Sequence, residues 1–212
     1  MNRKIKLDDI KTDITILLSN AQKIGWESLK ENSIHRILYL CSILYPFKYN
    51  TKINPFRNTY EFSIDLKGPH CNDIDKAIVS LESFFIINNF NNSLNINTQY
   101  IPPAIEKSPN YELKKEWIVT ILYILFSYGE SKIYDFVFED PEYQYKLLSN
   151  TSNTLNLGNN NETNLNLKIF KSAFEKSLAG QIDLSKIDQE KYLTLYFDYV
   201  FSKILKGEKF ND

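Results

Sequence analysis

The sequence predicts a mostly helical α+β fold in two parts, residues 1–105 and 106–212. Three observations carry this. Apolar residues recur at helical spacing through most of the chain, one short stretch alternates strictly, and an Asn-Asn pair separates two apolar runs.

Residues 8–22 place Ile10, Ile14, Leu17, Leu18 and Ala21 on one helical face, with acids in the first turn. A second helix over 33–45 carries Ile34, Ile37, Leu38, Cys41 and Leu44 on a wide apolar face. Pro46 is expected to end it, since proline removes a backbone donor and clashes with the preceding turn. Residues 46–58 read as a connecting loop. Residues 59–66 alternate, with Tyr60, Phe62, Ile64 and Leu66 pointing one way, as in a half-buried strand stopped by Gly68-Pro69.

Asn72 is the expected N-cap of the next helix, with Asp73 and Asp75 in its first turn and Ile74, Ala77, Ile78 and Leu81 on its apolar face. A hairpin then closes at Asn91-Asn92, residues that tolerate positive φ. Helix, helix, strand, helix, hairpin is the order of a winged-helix-like module with a small β-hairpin. The second half reads as helical. Ser108-Pro109 starts a helix that runs through Tyr128 and stops at Gly129, and another covers about 131–138. Asp140-Pro141 caps a short one with Tyr143 and Tyr145. Residues 149–166 are an Asn-rich polar loop, and helices over about 164–178 and 187–206 close the chain.

Bulk properties narrow the function. Only 6 glycines make a phosphate-cradling loop unexpected. A net charge of −1 lacks the basic excess that drives autonomous DNA binding through counterion release. Cys41 and Cys71 form no spaced pair, which points to a reducing compartment rather than a disulfide or zinc framework. The N-terminus lacks an apolar signal core, and the most apolar run, 117–129, is too short to span a bilayer. A cytoplasmic protein without membrane contact is expected.

The search for chemistry favours structural roles. His70-Cys71 are adjacent and project differently, a poor base and nucleophile pair. His35 starts an apolar helix. Glu139, Asp140 and Glu142 could hold a hard cation, but capping acids at a helix start explain them better. No HExxH, GxSxG, Walker or GxGxxG motif occurs, so no cofactor, metal or catalytic residue is expected and the chain reads as a non-enzyme.

DNA reading is disfavoured as well. The helix in recognition position carries Asp73, Asp75 and Glu82 against Lys76, and the hairpin over 84–100 has no basic residue. Weak phosphate contact is left to Arg3, Lys4 and Lys6, with Lys11 beside them, and to Lys48, Lys52 and Arg57. The last helix sets Tyr192, Tyr196 and Tyr199 beside a stripe of Leu193, Phe197, Val200 and Ile204. It is either a partner surface or a helix buried within this chain. Tyr143 and Tyr145 join these tyrosines as candidate partner contacts.

The succession "RILYLCSILYPF", "YEFSIDLKGPHCNDIDKAIVSL" and "FFIINN" resembles a pattern shared by the Panacea domain and the middle components of ABC-three-component anti-phage systems, including the Lamassu type. "WIVTILYILFSYGESKIYDFVFEDPEYQYKLL" is similar to the second half of those components. The resemblance covers roughly residues 33–148 and departs from the pattern at His70-Cys71, where an aromatic and a serine are usual. It implies a non-catalytic accessory subunit that bridges an SMC/Rad50-like ATPase and an effector nuclease, meeting DNA only through the complex. The alternative is a winged-helix DNA-binding regulator or antitoxin-like protein. A metal-dependent hydrolase centred on Glu139 and Asp140 is a minor third.

Overall fold

A computed structural model describes residues 3–49, 53–149 and 153–180, together with single positions between 183 and 202. Side chains of residues 3–5 and of Ala104 lie outside that description. The chain is mostly α with small antiparallel sheets, an α+β fold. Its described elements are α1 (Arg3–Lys23), β1 (Leu29–Lys30), α2 (Glu31–Lys48), β2 (Ser63–Asp65), β3 (Gly68–His70), α3 (Asn72–Ser83), β4 (Ile87–Phe90), β5 (Ser93–Ile96), α4 (Tyr111–Tyr128), α5 (Lys132–Phe138), α6 (Pro141–Ser149) and α7 (Glu162–Leu178).

Helix α2 is the axis of the core. Its residues from Ser33 to Pro46 are buried almost without interruption, because α1, α4, α5 and α7 all pack on it. The expected stop at Pro46 does not occur, and the helix runs two residues further. The Ser42 carbonyl, whose helical partner would be the N–H that proline lacks, instead accepts a hydrogen bond from Asn54 Nδ2 at 2.8 Å. A side chain from the following loop thus satisfies the carbonyl that the proline leaves without a helical donor.

Other boundaries shift for similar reasons. Helix α1 begins at Arg3, so Asp8 and Asp9 are not in its first turn. Gly68-Pro69 does not simply end a strand. It forms β3, which pairs antiparallel with β2 in the register Ser63↔His70, Ile64↔Pro69 and Asp65↔Gly68. The turn leaves Leu66 at its tip, 97 % exposed, although the alternation put it with Phe62. Gly68 has φ +110°, and the Arg36 guanidinium lies against the turn, donating to the Lys67 carbonyl at 2.6 and 3.1 Å. Cys71, not Asn72, is the N-cap residue of α3. Asn110, not Ser108, precedes α4.

The Asn91-Asn92 turn is as expected, with both residues at positive φ, 53° and 60°. Strands β4 and β5 pair as a hairpin, and β1 adds to β5 through Leu29↔Leu94 and Lys30↔Ser93, giving the order β1-β5-β4. The Asn-rich segment pairs with β2. Ile64 N–H donates to the Asn153 carbonyl and Leu155 N–H to the Phe62 carbonyl, both at 2.8 Å, so it pairs along the free edge of β2. Asn161 caps α7 by accepting from Asn164 N–H.

The buried hydrophobic residues form one cluster that draws on both sides of residue 105. Within it lies an ion pair. Lys114 of α4 donates to Asp13 Oδ2 at 2.9 Å, Tyr60 donates to the same oxygen at 2.8 Å, and Asp13 Oδ1 has no partner. Burial raises the Asp13 carboxyl above its ordinary range, with the Lys114 charge opposing.

Removing one member of this pair leaves a buried charge alone. Lys114→Met is expected to cost about 3–5 kcal/mol in urea denaturation, while Asp13→Asn/Lys114→Met, which keeps an acceptor for Tyr60, falls within about 2 kcal/mol of wild type.

Candidate functional site

Three regions of the described structure hold concentrated polar chemistry or exposed aromatic surface. They are the β3–α3 corner, the start of α6, and the segment from the end of α3 to the β4–β5 turn.

At the corner, α2 supplies His35, β3 supplies His70, and the first turn of α3 supplies Asp75. Cys71 N–H donates to His35 Nδ1 at 3.2 Å. That nitrogen is therefore an acceptor, so Nε2 carries the proton of the neutral ring and points it at Asp75 Oδ1, 3.0 Å away. The rings of His35 and His70 stack with centroids 4.8 Å apart. His70 Nε2 lies 3.1 Å from Asp75 Oδ2 and 3.1 Å from Asn72 Oδ1. Burial pushes the Asp75 carboxyl up, but the hydrogen bond from His35 and the neighbouring His70 outweigh it and leave it below the usual carboxylate range. The corner opens into a small polar cavity of about 260 Å³ that also meets Glu31, Asp65 and Lys67.

At the start of α6, Asp140 and Glu142 are buried while Glu139 is exposed. Asp140 Oδ1 accepts from Tyr39 Oη at 2.6 Å and from Tyr143 N–H at 3.1 Å, and Oδ2 accepts from Thr163 Oγ1 at 2.7 Å. Glu142 Oε1 accepts from Asn156 N–H and Oε2 from Glu162 N–H, at 2.9 and 3.1 Å. Asp140 is thus the cap foreseen from Asp140-Pro141, and both carboxylates also hold α7 and its preceding segment. Every carboxylate oxygen meets a protein donor, which is the pattern of a structural cap rather than of an ion cage.

The aromatic surface begins at the C-terminus of α3. Phe85 N–H bonds to the Glu82 carbonyl at 2.9 Å and Ile86 N–H to the Leu81 carbonyl at 3.0 Å, the double closure of a Schellman cap. The left-handed position in that cap usually belongs to glycine. Here it is Phe85, at φ 57° and 69 % exposed. Phe84 beside it is 65 % exposed and Phe90, ahead of the hairpin turn, is 77 % exposed. Sequence reasoning placed these rings in hairpin runs. Helical periodicity gives no sign that α3 ends in a left-handed aromatic.

The candidate residues are distributed unevenly. Tyr143 is buried, and its hydroxyl donates to the Asp65 carbonyl at 2.7 Å, so it is a core residue that ties α6 to β2 rather than a surface contact. Tyr145 is 51 % exposed. Tyr199 is half-buried against Phe174, with ring centroids 5.3 Å apart. Tyr192 and Tyr196, and the stripe of Leu193, Phe197, Val200 and Ile204, lie outside the described residues. So do Lys52 and the side chains of Arg3 and Lys4. Lys6 pairs with Asp73 at 3.1 Å, and Lys48 pairs with Glu116 at 3.0 Å over the rings of Tyr49 and Trp117. Arg57 is exposed. Lys11 pairs with Asp8, so of the described residues named for phosphate contact, Lys6, Lys11 and Lys48 are held by carboxylates.

No protein-family model, no curated protein and no solved structure matches this chain.

Two expectations follow from these geometries. Burial raises the Asp140 carboxyl to about 6, with hydrogen bonds from Tyr39 and Thr163 opposing, against an ordinary value of 3.8. A carboxyl raised in the folded state contributes stability that is present at low pH and lost as pH rises through the folded value. Relative to Asp140→Asn, the wild type should therefore lose up to about 3 kcal/mol between pH 4 and pH 7 in denaturant titrations. At the α3 cap, Phe85→Gly relieves the left-handed aromatic and is expected to raise stability by about 1 kcal/mol, read as a higher urea midpoint.

Proposed function

We propose that this chain is a non-catalytic assembly subunit of a bacterial anti-phage defence complex, working in the cytoplasm and joining an SMC/Rad50-like ATPase to an effector nuclease. The observation that carries the reading is Phe85. A large aromatic in a left-handed cap works against the fold, and its exposed ring contributes little to this chain's core. Such a residue is accounted for by a partner that covers it together with Phe84 and Phe90. The sequence resemblance supplies the class of partner. The order α1, β1, α2, α3, β4, β5, with β1 on β5 and the separate β2–β3 hairpin inserted between α2 and α3, supports the winged-helix-like reading of residues 1–105. Among the described residues no helix is long and apolar enough to cross a membrane.

The same element order favours a second reading, a winged-helix DNA-binding regulator or antitoxin-like protein. The charges on α3 weigh against it. Asp73 and Asp75 occupy the first turn, and Lys76 is paired with Asp73 at 2.7 Å.

The readings separate in one purification. The tagged chain, expressed with its native neighbouring genes, is captured at about 0.5 M salt, where charge contacts beyond a few ångströms are screened. Stoichiometric recovery of the ATPase is expected, with capture by the Phe85→Gly variant reduced at least about tenfold despite its higher stability. A chain that elutes alone and shifts a DNA probe at low salt supports the regulator instead.

A further inference from the structure

We propose that the β3–α3 corner is a binding site for a divalent first-row transition cation, held by His70 Nε2, Asp75 Oδ2 and Asn72 Oδ1. The argument starts with which nitrogens are available. His35 is not a ligand, because a metal at its Nε2 would force the ring proton onto Nδ1, where Cys71 N–H already donates at 3.2 Å. Its Nε2–H is spent on Asp75 Oδ1 at 3.0 Å. This buried histidine, itself fixed by backbone, orients the carboxylate and leaves Oδ2 beside His70. That is the role outer-shell partners play around ligating groups.

Both oxygens lie close to His70 Nε2. His70 Nε2 is 3.1 Å from Asp75 Oδ2 and 3.1 Å from Asn72 Oδ1. Neighbouring ligands around a cation with bonds of about 2.1 Å stand about 3.0 Å apart at right angles and about 3.4 Å apart in a tetrahedron. One imidazole nitrogen with two oxygens suits zinc, nickel, cobalt or manganese better than calcium, which favours more oxygens at longer range. The side chains of His70 and Asp75 are 37 % and 36 % exposed, so an ion reaches them from solvent. The adjoining cavity leaves room for water at the open positions. Asp73 and Asp75 offset the positive end of α3, which would otherwise repel a cation. A bound ion would fasten the β2–β3 hairpin to α3.

The test uses the full chain with Zn²⁺ and Co²⁺. One equivalent of Zn²⁺ is expected to shift the His70 Nε2 signal in ¹⁵N-detected histidine spectra, while His35 keeps its proton on Nε2. Co²⁺ should give visible d–d bands. His70→Gln, a change at a part-exposed side chain, should cut Zn²⁺ affinity at least about tenfold by competition with a chromophoric chelator. Unchanged His70 signals in the wild type overturn the proposal even if the variant does not fold. Equal Zn²⁺ affinity in His70→Gln and wild type overturns it too.

Discussion

The structure depends on one buried charge pair. Asp13 and Lys114 stand 101 residues apart, and their contact joins α1 to α4 while Tyr60 brings in the segment ahead of β2. In an apolar interior neither charge is tolerable alone, so the pair defines one relative placement of three segments that hydrophobic packing would leave looser. The Lys114 ammonium also lies over the Phe56 ring, 5.3 Å from its centre. The unpartnered Asp13 Oδ1 means the arrangement selects a geometry more than it adds stability.

A second polar network does the same work around α2. Tyr39 reaches from the centre of that helix to Asp140, and Thr163 reaches the same carboxylate from α7. Asn164 Nδ2 extends the link to the Ile43 carbonyl at 2.9 Å. Both networks use α2 or its neighbours as a fixed rod. The exposed aromatic residues and the histidine corner lie outside this polar framework.

Local pattern made much of this legible. The apolar faces of α1, α2 and α3, the Asn91-Asn92 turn, the Gly129 stop and the Asp140-Pro141 cap all rest on neighbours within a turn or two, so spacing reveals them. What spacing did not reveal depends on distant groups. The continuation of α2 through Pro46 needs Asn54, and Gly68-Pro69 becomes a strand because β2 folds back onto it. Leu66 follows the alternation but falls at the turn. Tyr143 looked like a surface ring until the Asp65 carbonyl supplied its partner. The histidine corner joins residues 40 apart in sequence, His35 and Asp75, through a carboxylate that also serves as a first-turn acid, and that ordinary role concealed it.

The placement of the two cysteines has a consequence for how opening of the molecule is observed. Cys41 is fully buried in α2, and burial pushes its thiol well up, with Asp13 adding to the effect. Cys71 is buried at the N-cap of α3. Alkylating reagents need an accessible thiolate, so neither thiol reacts in the closed state. Separation of the β3–α3 corner from α2 uncovers Cys71, whereas Cys41 waits for the central helix itself to come free. The two labelling rates therefore time a local and a global opening within one chain.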